Sequence, residues 1–396
     1  MLAAVLLFLA ATAAVPSPVN REAHADPLHA RLQALRRASA DVRRGTPEAR
    51  AVAAELGQIG RGYLEKGDSG RAVELLEEAY GWDDENGLVL ALLTLSYVRR
   101  GDFPFARFYL DLAEQRAPRA PPQAYEILGE VYYSLNRLED AIVAWEHFQR
   151  LGGQTPATLR RLSKVRQELA LASGQRHLET EKFSFFWDPS IPARFVEEIA
   201  ERIGAAYGQQ SEFFGTDLPE AQIIVLYGGR SYFSLVSVPD WVSGLFDGKI
   251  RMSVDPDGGA TPELSAVLAH ELAHAFIRHA SADRAPGWLH EGVAQWWEGK
   301  RIARYEIRND FRGRSPYTLS EMERNLAGHS DRTAARTNYV EALSLVEYLT
   351  ERHGSGAVAC LIRGLGAGRT LAESLRAETG LTPDELFRKW KEWARL

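Results

Sequence analysis

Cysteine is nearly missing from this chain: Cys360 is the one cysteine among 396 residues. An intrachain disulfide is therefore excluded. Cys360 itself lies in the apolar run GAVACLIRGL, where a buried, inert thiol is expected rather than a nucleophile. A basic excess is missing too. The formal net charge is −6, which argues against a nucleic-acid binder with a basic face. After the N-terminus no segment is apolar enough to cross a membrane. Histidine is scarce, with 10 residues in all. What remains is the composition of a soluble globular protein, 45% hydrophobic and 25% charged, long enough for two or three domains with full cores.

The N-terminus, MLAAVLLFLAATAAVPSPVNREAHADP, opens with thirteen apolar or small residues from Leu2 to Ala14. That run is too short to span a bilayer comfortably but suits the core of a secretory signal peptide. Ala11 and Ala13, or Ala23 and Ala25, offer two cleavage sites, although only the free amino group is positive at the start. Residues 1–25 are thus expected to be a signal peptide and 26–48 a linker; the alternative is a disordered apolar tail. Export, to a periplasm or the exterior, with no integral span after signal removal, is the corresponding expectation.

Self-similarity at a period of 34 to 35 fills residues 50 to 154. Tyr63, Tyr97 and Tyr132 are each followed nine residues later by a small residue, Ala72, Ala106 and Ala141. Seven residues further come Ala79, Ala113 and Phe148. The pattern resembles the tetratricopeptide repeat (TPR), a helix–turn–helix unit whose small residues let paired helices approach closely. The resemblance covers three repeats, and TPATLRRLSKVRQELALA reads as a capping helix, so residues 49–177 form an all-α array. Such hairpins stack because none buries its apolar face alone. The array is either a concave surface for a peptide or protein partner, or a rigid spacer or dimerisation arm.

Near residue 178 the period changes. KFSFFW and AQIIVLY read as strands, with a helical pattern from Ala193 to Phe214 between them. In GKIRMSV, Ile250, Met252 and Val254 alternate with Lys249, Arg251 and Ser253. That alternation predicts a half-exposed strand at a sheet edge. Everything after residue 262 reads as helix, ending in a packing stripe of Leu386, Trp390 and Trp393. Strands followed by helices predict an α+β domain over 178–396.

The densest chemistry is VLAHELAHAFIRHA, residues 267 to 280. Thr261 and Pro262 supply an N-cap and an N1 proline, and Leu264, Leu268, Leu272 and Phe276 a buried stripe. His270 and His274, four apart, project from one helix face about 40° out of line, close enough to hold one ion. Glu271 lies about 100° further round, beside a water that the ion would bind. Neutral imidazoles bind zinc, the ion acidifies its water, and a carboxylate takes the proton. A third ligand on the same helix is not available in the metzincin pattern, because Ile277 and Ala280 stand where glycine and histidine are required. His279 is one residue out of phase and reads as an exposed helix-end residue. The next helix, PGWLHEGVAQWWEG, offers Glu291, with sixteen residues between it and His274, returned by the short loop ASADRAPG.

HELAH with WLHEGVA resembles the gluzincin zinc peptidases, and most closely the bacterial peptidase MA-like domains that follow TPR arrays. The similarity includes GLFDGKIRMSV, NYVEALSLVEYLTERHG and LTPDELFRKWKEWARL, and so covers most of residues 180 to 396. It implies a zincin-like fold with one Zn2+ per chain, His270, His274 and Glu291 as ligands, and Glu271 as general base. The aminopeptidase signature GxMEN is absent, so that specificity is not implied. Tyr339 aligns with a tyrosine of similar domains and is a candidate oxyanion donor, against a reading as an aromatic packed between helices. His290 is a weaker candidate. Gln295 would either orient a ligand or be an exposed polar residue. By the same resemblance, Gly248 to Val254 would bind an extended peptide backbone. The reading is a zinc metallopeptidase whose repeats recruit a substrate or protein partner, with no nucleic acid involved. The alternative is a non-enzymatic TPR scaffold carrying a zincin fold; a hydrolase of a non-peptide bond is the third class.

Overall fold

The computed structural model describes residues 27–229, 244–326 and 332–396, apart from positions 117, 119, 173, 256 and 258. The expected signal peptide lies outside them. The described residues divide into two compact units, 27–175 and 176–396, each with a hydrophobic core of its own.

The first unit is an all-α array. Its helices are α1 (Pro27–Ala38), α2 (Pro47–Glu65), α3 (Ser69–Trp82), α4 (Gly87–Arg100), α5 (Phe103–Arg116), α6 (Pro122–Ser134), α7 (Leu138–Arg150) and α8 (Pro156–Ala172). Helix starts are set locally: the side chains of Thr46, Asp68 and Asn86 accept from the amides of Ala49, Arg71 and Val89. The repeat positions are interior. Ala72, Ala106 and Ala141 are at most 1% exposed, and Tyr63, Tyr97 and Tyr132 are buried with them. One element differs from expectation. Part of the segment read as linker is α1, whose Leu32 is fully buried in the array core.

The second unit is built on a five-stranded mixed sheet in the order β1-β2-β3-β5-β4. Its strands are β1 (Arg176–Glu179), β2 (Phe183–Trp187), β3 (Gln222–Gly228), β4 (Gly244–Phe246) and β5 (Ile250–Val254). β2, β3 and β5 run parallel, with β1 and β4 antiparallel at the two edges. Parallel neighbours need a crossover, and α9 (Ala193–Phe214) provides it between β2 and β3.

The expectation of a half-exposed edge strand at Gly248–Val254 is corrected here. β5 lies inside the sheet between β3 and β4, and both Lys249 and Arg251 are fully buried. The polar side chains that looked solvent-facing have partners within the fold. Arg251 Nε lies 3.2 Å from Asp247 Oδ2, and its Nη1 donates to the Tyr227 hydroxyl at 2.8 Å. Among the described residues the edge on this side of the sheet is β4 instead.

Among the described residues eight further helices belong to the unit: α10 (Pro262–Ala280), α11 (Gly287–Trp297), α12 (Arg304–Asp310), α13 (Leu319–Leu326), α14 (Arg332–His353), α15 (Ser355–Gly366), α16 (Leu371–Thr379) and α17 (Pro383–Ala394). α10 is buried on every side from Val267 to Ile277, as a helix at the centre of a core must be. α9 holds it through Gln210, whose amide donates to the Ala269 carbonyl at 2.8 Å, and through Phe214 stacked on Phe276. At the C-terminus Trp390 and Trp393 dock α17 on α14, their ring nitrogens donating to Ser344 and Glu351.

Candidate metal centre

The geometry of the centre starts with helix capping. Thr261 accepts from the Leu264 amide at 3.2 Å and Pro262 opens α10, which fixes the helix register that carries His270, Glu271 and His274. After Ala280 the chain turns sharply: Ala282 and Asp283 take positive φ, and Ser281 Oγ accepts from the amides of Arg284 and Ala285. Pro286 then starts α11. The tight turn returns α11 alongside α10 and brings Glu291 to the histidines.

His270 Nε2 and His274 Nε2 are 3.1 Å apart. Glu291 reaches both: Oε2 is 3.8 Å from His270 Nε2, and Oε1 is 3.8 Å from His274 Nε2. One ligand atom from each of the three residues lies within 4.8 Å of the others, and all three are buried. Donors about 2.0–2.1 Å from a tetrahedral ion stand about 3.3 Å apart, so the observed spacings bracket what one ion requires.

Electrostatics favour the same occupant. Burial lowers the pKa of both histidines. For His270, Glu298 opposes the drop; for His274, the neighbouring imidazoles of His270 and His290 deepen it. Both rings are therefore neutral and able to ligate. Burial pushes Glu291 up to about 8, with Lys300 opposing. Its Oε2 has no hydrogen-bond partner among the described residues. Two neutral imidazoles around a buried carboxylate form a pocket that a divalent cation relieves, because the cation supplies the missing charge and stabilises the deprotonated ligands. The donor set fits a metal.

Glu271 is 1% exposed, and its Oε1 likewise lacks a hydrogen-bond partner among the described residues. Burial first, and then the charges of Glu291, Glu298 and Asp247, raise its pKa well above the carboxylate range. Gly244 of the edge strand abuts it so closely that a β-carbon there would lie 2.8 Å from Glu271 Oε1. Edge strand and carboxylate are thus in direct contact.

The remaining candidates are placed as follows. Tyr339 is half-buried on α14, where its carbonyl accepts from Gln295 Nε2 at 3.0 Å. Gln295 is buried rather than exposed, and it also donates to the Glu291 carbonyl at 3.1 Å, so it ties α11 to α14 beside the third candidate ligand. His290 is buried, stacked with the His274 ring at 5.7 Å, and pushed down to about 3 by burial and by Arg278. His279 is half-buried at the end of α10, not exposed.

One residue was missed by sequence reasoning. Glu298 Oε2 lies 2.9 Å from His270 Nδ1, and its Oε1 lies 2.8 Å from Lys300 Nζ. Its pKa is lowered because these two partners outweigh the upward pull of burial. The signal was available: Glu298 follows Glu291 by seven residues, two helical turns along one face.

Comparison with known proteins gives three findings. Among curated proteins, none matches the chain. The first TPR domain of the human RPAP3 protein, solved by NMR, is 24% identical over 30% of this chain and 92% of that one. Its TM-score of 0.27 is too low to define a shared fold. Residues 236–395, which hold every residue of the candidate centre, match the model of the Peptidase MA superfamily.

Proposed function

We propose that the protein is an exported zinc metallopeptidase whose TPR-like module recruits a protein substrate or partner. One observation carries the reading: His270, His274 and Glu291 converge within 4.8 Å while the carboxylate of Glu271 stands buried beside the edge strand. The superfamily match over 236–395 supports it.

In this reading His270, His274 and Glu291 would hold one zinc ion, which would supply Lewis acidity and make water easier to deprotonate near neutral pH. Glu271 accepts the proton of the attacking water at Oε1 and passes it to the leaving amine. Only the ionised carboxylate can accept that proton, and the charge of a bound cation would offset the upward push of burial and of the neighbouring acids on Glu271. The β4 edge, in contact with Glu271 through Gly244, pairs with the backbone of an extended substrate and brings its scissile bond to the carboxylate. The Tyr339 hydroxyl donates to the oxyanion. Gln295 holds α14 to α11, so that Tyr339 and Glu291 keep their relative places.

The test is zinc content by elemental analysis alongside hydrolysis of a proteome-derived peptide library. Glu291→Ala loses metal and activity together. Tyr339→Phe keeps zinc and loses roughly 3 kcal/mol of transition-state stabilisation. A zinc-loaded wild type that cleaves no peptide would overturn the proposal in favour of a scaffold.

A further inference from the structure

The two histidines of the centre are seated by different means. The His274 ring stacks with Phe246 of the edge strand at 6.3 Å and with His290 at 5.7 Å. His270 is held by charge, its Nδ1 being 2.9 Å from Glu298 Oε2. A carboxylate can only accept, so the Nδ1 of His270 must carry the hydrogen. In that tautomer the neutral ring leaves Nε2 free of a proton, and Nε2 is the atom that faces His274 and Glu291.

Helix stability does not account for Glu298. It is the C-cap residue of α11, where the helix dipole disfavours a negative charge. Its side chain is 6% exposed, so it is not a solvated surface acid either. Lys300, three-tenths exposed, closes on its other oxygen at 2.8 Å. The carboxylate is fixed from both ends, by a cation at the rim and an imidazole within.

We propose that Glu298, clamped by Lys300, is a positioning residue that locks His270 in its Nδ1–H tautomer and thereby sets the metal affinity of the centre. The inference rests on the metal-binding reading of His270, His274 and Glu291, but not on peptide hydrolysis. Glu298 reaches the centre through its hydrogen bond to His270 and also adds negative charge near Glu271 and Glu291, so the tautomer, which the hydrogen bond sets, is read separately from the affinity.

Two measurements on the full chain test it. The first is the tautomer of His270 in metal-free protein, read from the nitrogen chemical shifts of 15N-histidine. Wild type shows Nδ1–H; Glu298→Ala shows a mixture with Nε2–H; Glu298→Gln, which keeps an accepting oxygen, restores Nδ1–H. The second is zinc affinity by competition with a chromogenic chelator. Glu298→Ala loses about 10- to 100-fold, the usual range for an outer-shell partner, while Glu298→Gln and Lys300→Met lose less. The thermal midpoint of the metal-free variants stays near that of wild type, which separates seating from folding. An unchanged tautomer in Glu298→Ala overturns the proposal, and so does a zinc affinity within twofold of wild type. A wild type that holds zinc yet hydrolyses nothing sinks the peptidase reading alone. If wild type takes no zinc, the metal role fails and the tautomer still decides the seating.

Discussion

Gly292 follows Glu291 directly, and its lack of a side chain sets how closely α11 meets α14. A β-carbon there would lie 2.3 Å from the Ala342 carbonyl oxygen and 2.6 Å from Val346 Cγ2. Ordinary contact begins near 3.4 Å, so Gly292→Ala falls short by 3.4 − 2.3 = 1.1 Å against a backbone atom that cannot swing aside. α11 must back away by about that distance, and Glu291 moves with it. Metal sites tolerate about 0.2 Å in ligand distance, so the third candidate ligand would leave its place. Overpacking of this kind costs about 1–3 kcal/mol. If half of that is felt at the ligand, zinc affinity falls about twofold to tenfold, at about 1.4 kcal/mol per decade. The assay is chelator competition on purified protein, with circular dichroism to show that the helices persist. Gly204 on α9 serves as control, since a β-carbon there meets nothing within 4 Å. Gly204→Ala should bind zinc like wild type. Wild-type zinc affinity in Gly292→Ala would refute the reasoning.

Two further predictions concern stability and organisation. Burial pushes Glu341 up to about 8 from an ordinary value of 4.5, so the folded protein keeps a proton that the unfolded chain releases. Stability from this group is complete below about pH 4.5 and is lost as pH rises to about 8, by at most ~1.4 kcal/mol per pH unit. Glu341→Gln removes the dependence, so its melting temperature should gain on wild type between pH 5 and 8; parallel curves would contradict this. Deleting residues 26–174 should leave a folded domain that binds zinc and hydrolyses short peptides but has lost activity on a protein substrate. Circular dichroism and zinc content read the outcome, and an insoluble product would mean that the two units depend on one another.

Local rules carry much of this structure in plain view. The Tyr–Ala spacing marks array positions that are interior, because a packed hairpin needs a small residue at each close approach. Thr261, Pro262 and the histidine spacing lay out α10, because capping and helical geometry act within a few residues. Partners distant in sequence are where the reading stops. Lys249 and Arg251 look solvent-facing in a strand, but a one-dimensional alternation cannot tell water from Asp247 and Tyr227. β4 is three residues long and too short to display a period. Gln295 stays open between a ligand-orienting and an exposed residue until its bond to the Tyr339 carbonyl on α14 is seen. Glu298 shares a helix face with Glu291 in the sequence, but its partner, His270, is on another helix.

In the proposed mechanism neighbouring carboxylates divide the work, Glu291 holding metal and Glu271 handling the proton. Glu271→Gln keeps the shape and a hydrogen-bonding oxygen but removes the base. Measured side by side, zinc per chain should remain near the wild-type value, while peptide turnover falls by about two to four orders of magnitude. Full turnover in the zinc-loaded Glu271→Gln protein would contradict the account.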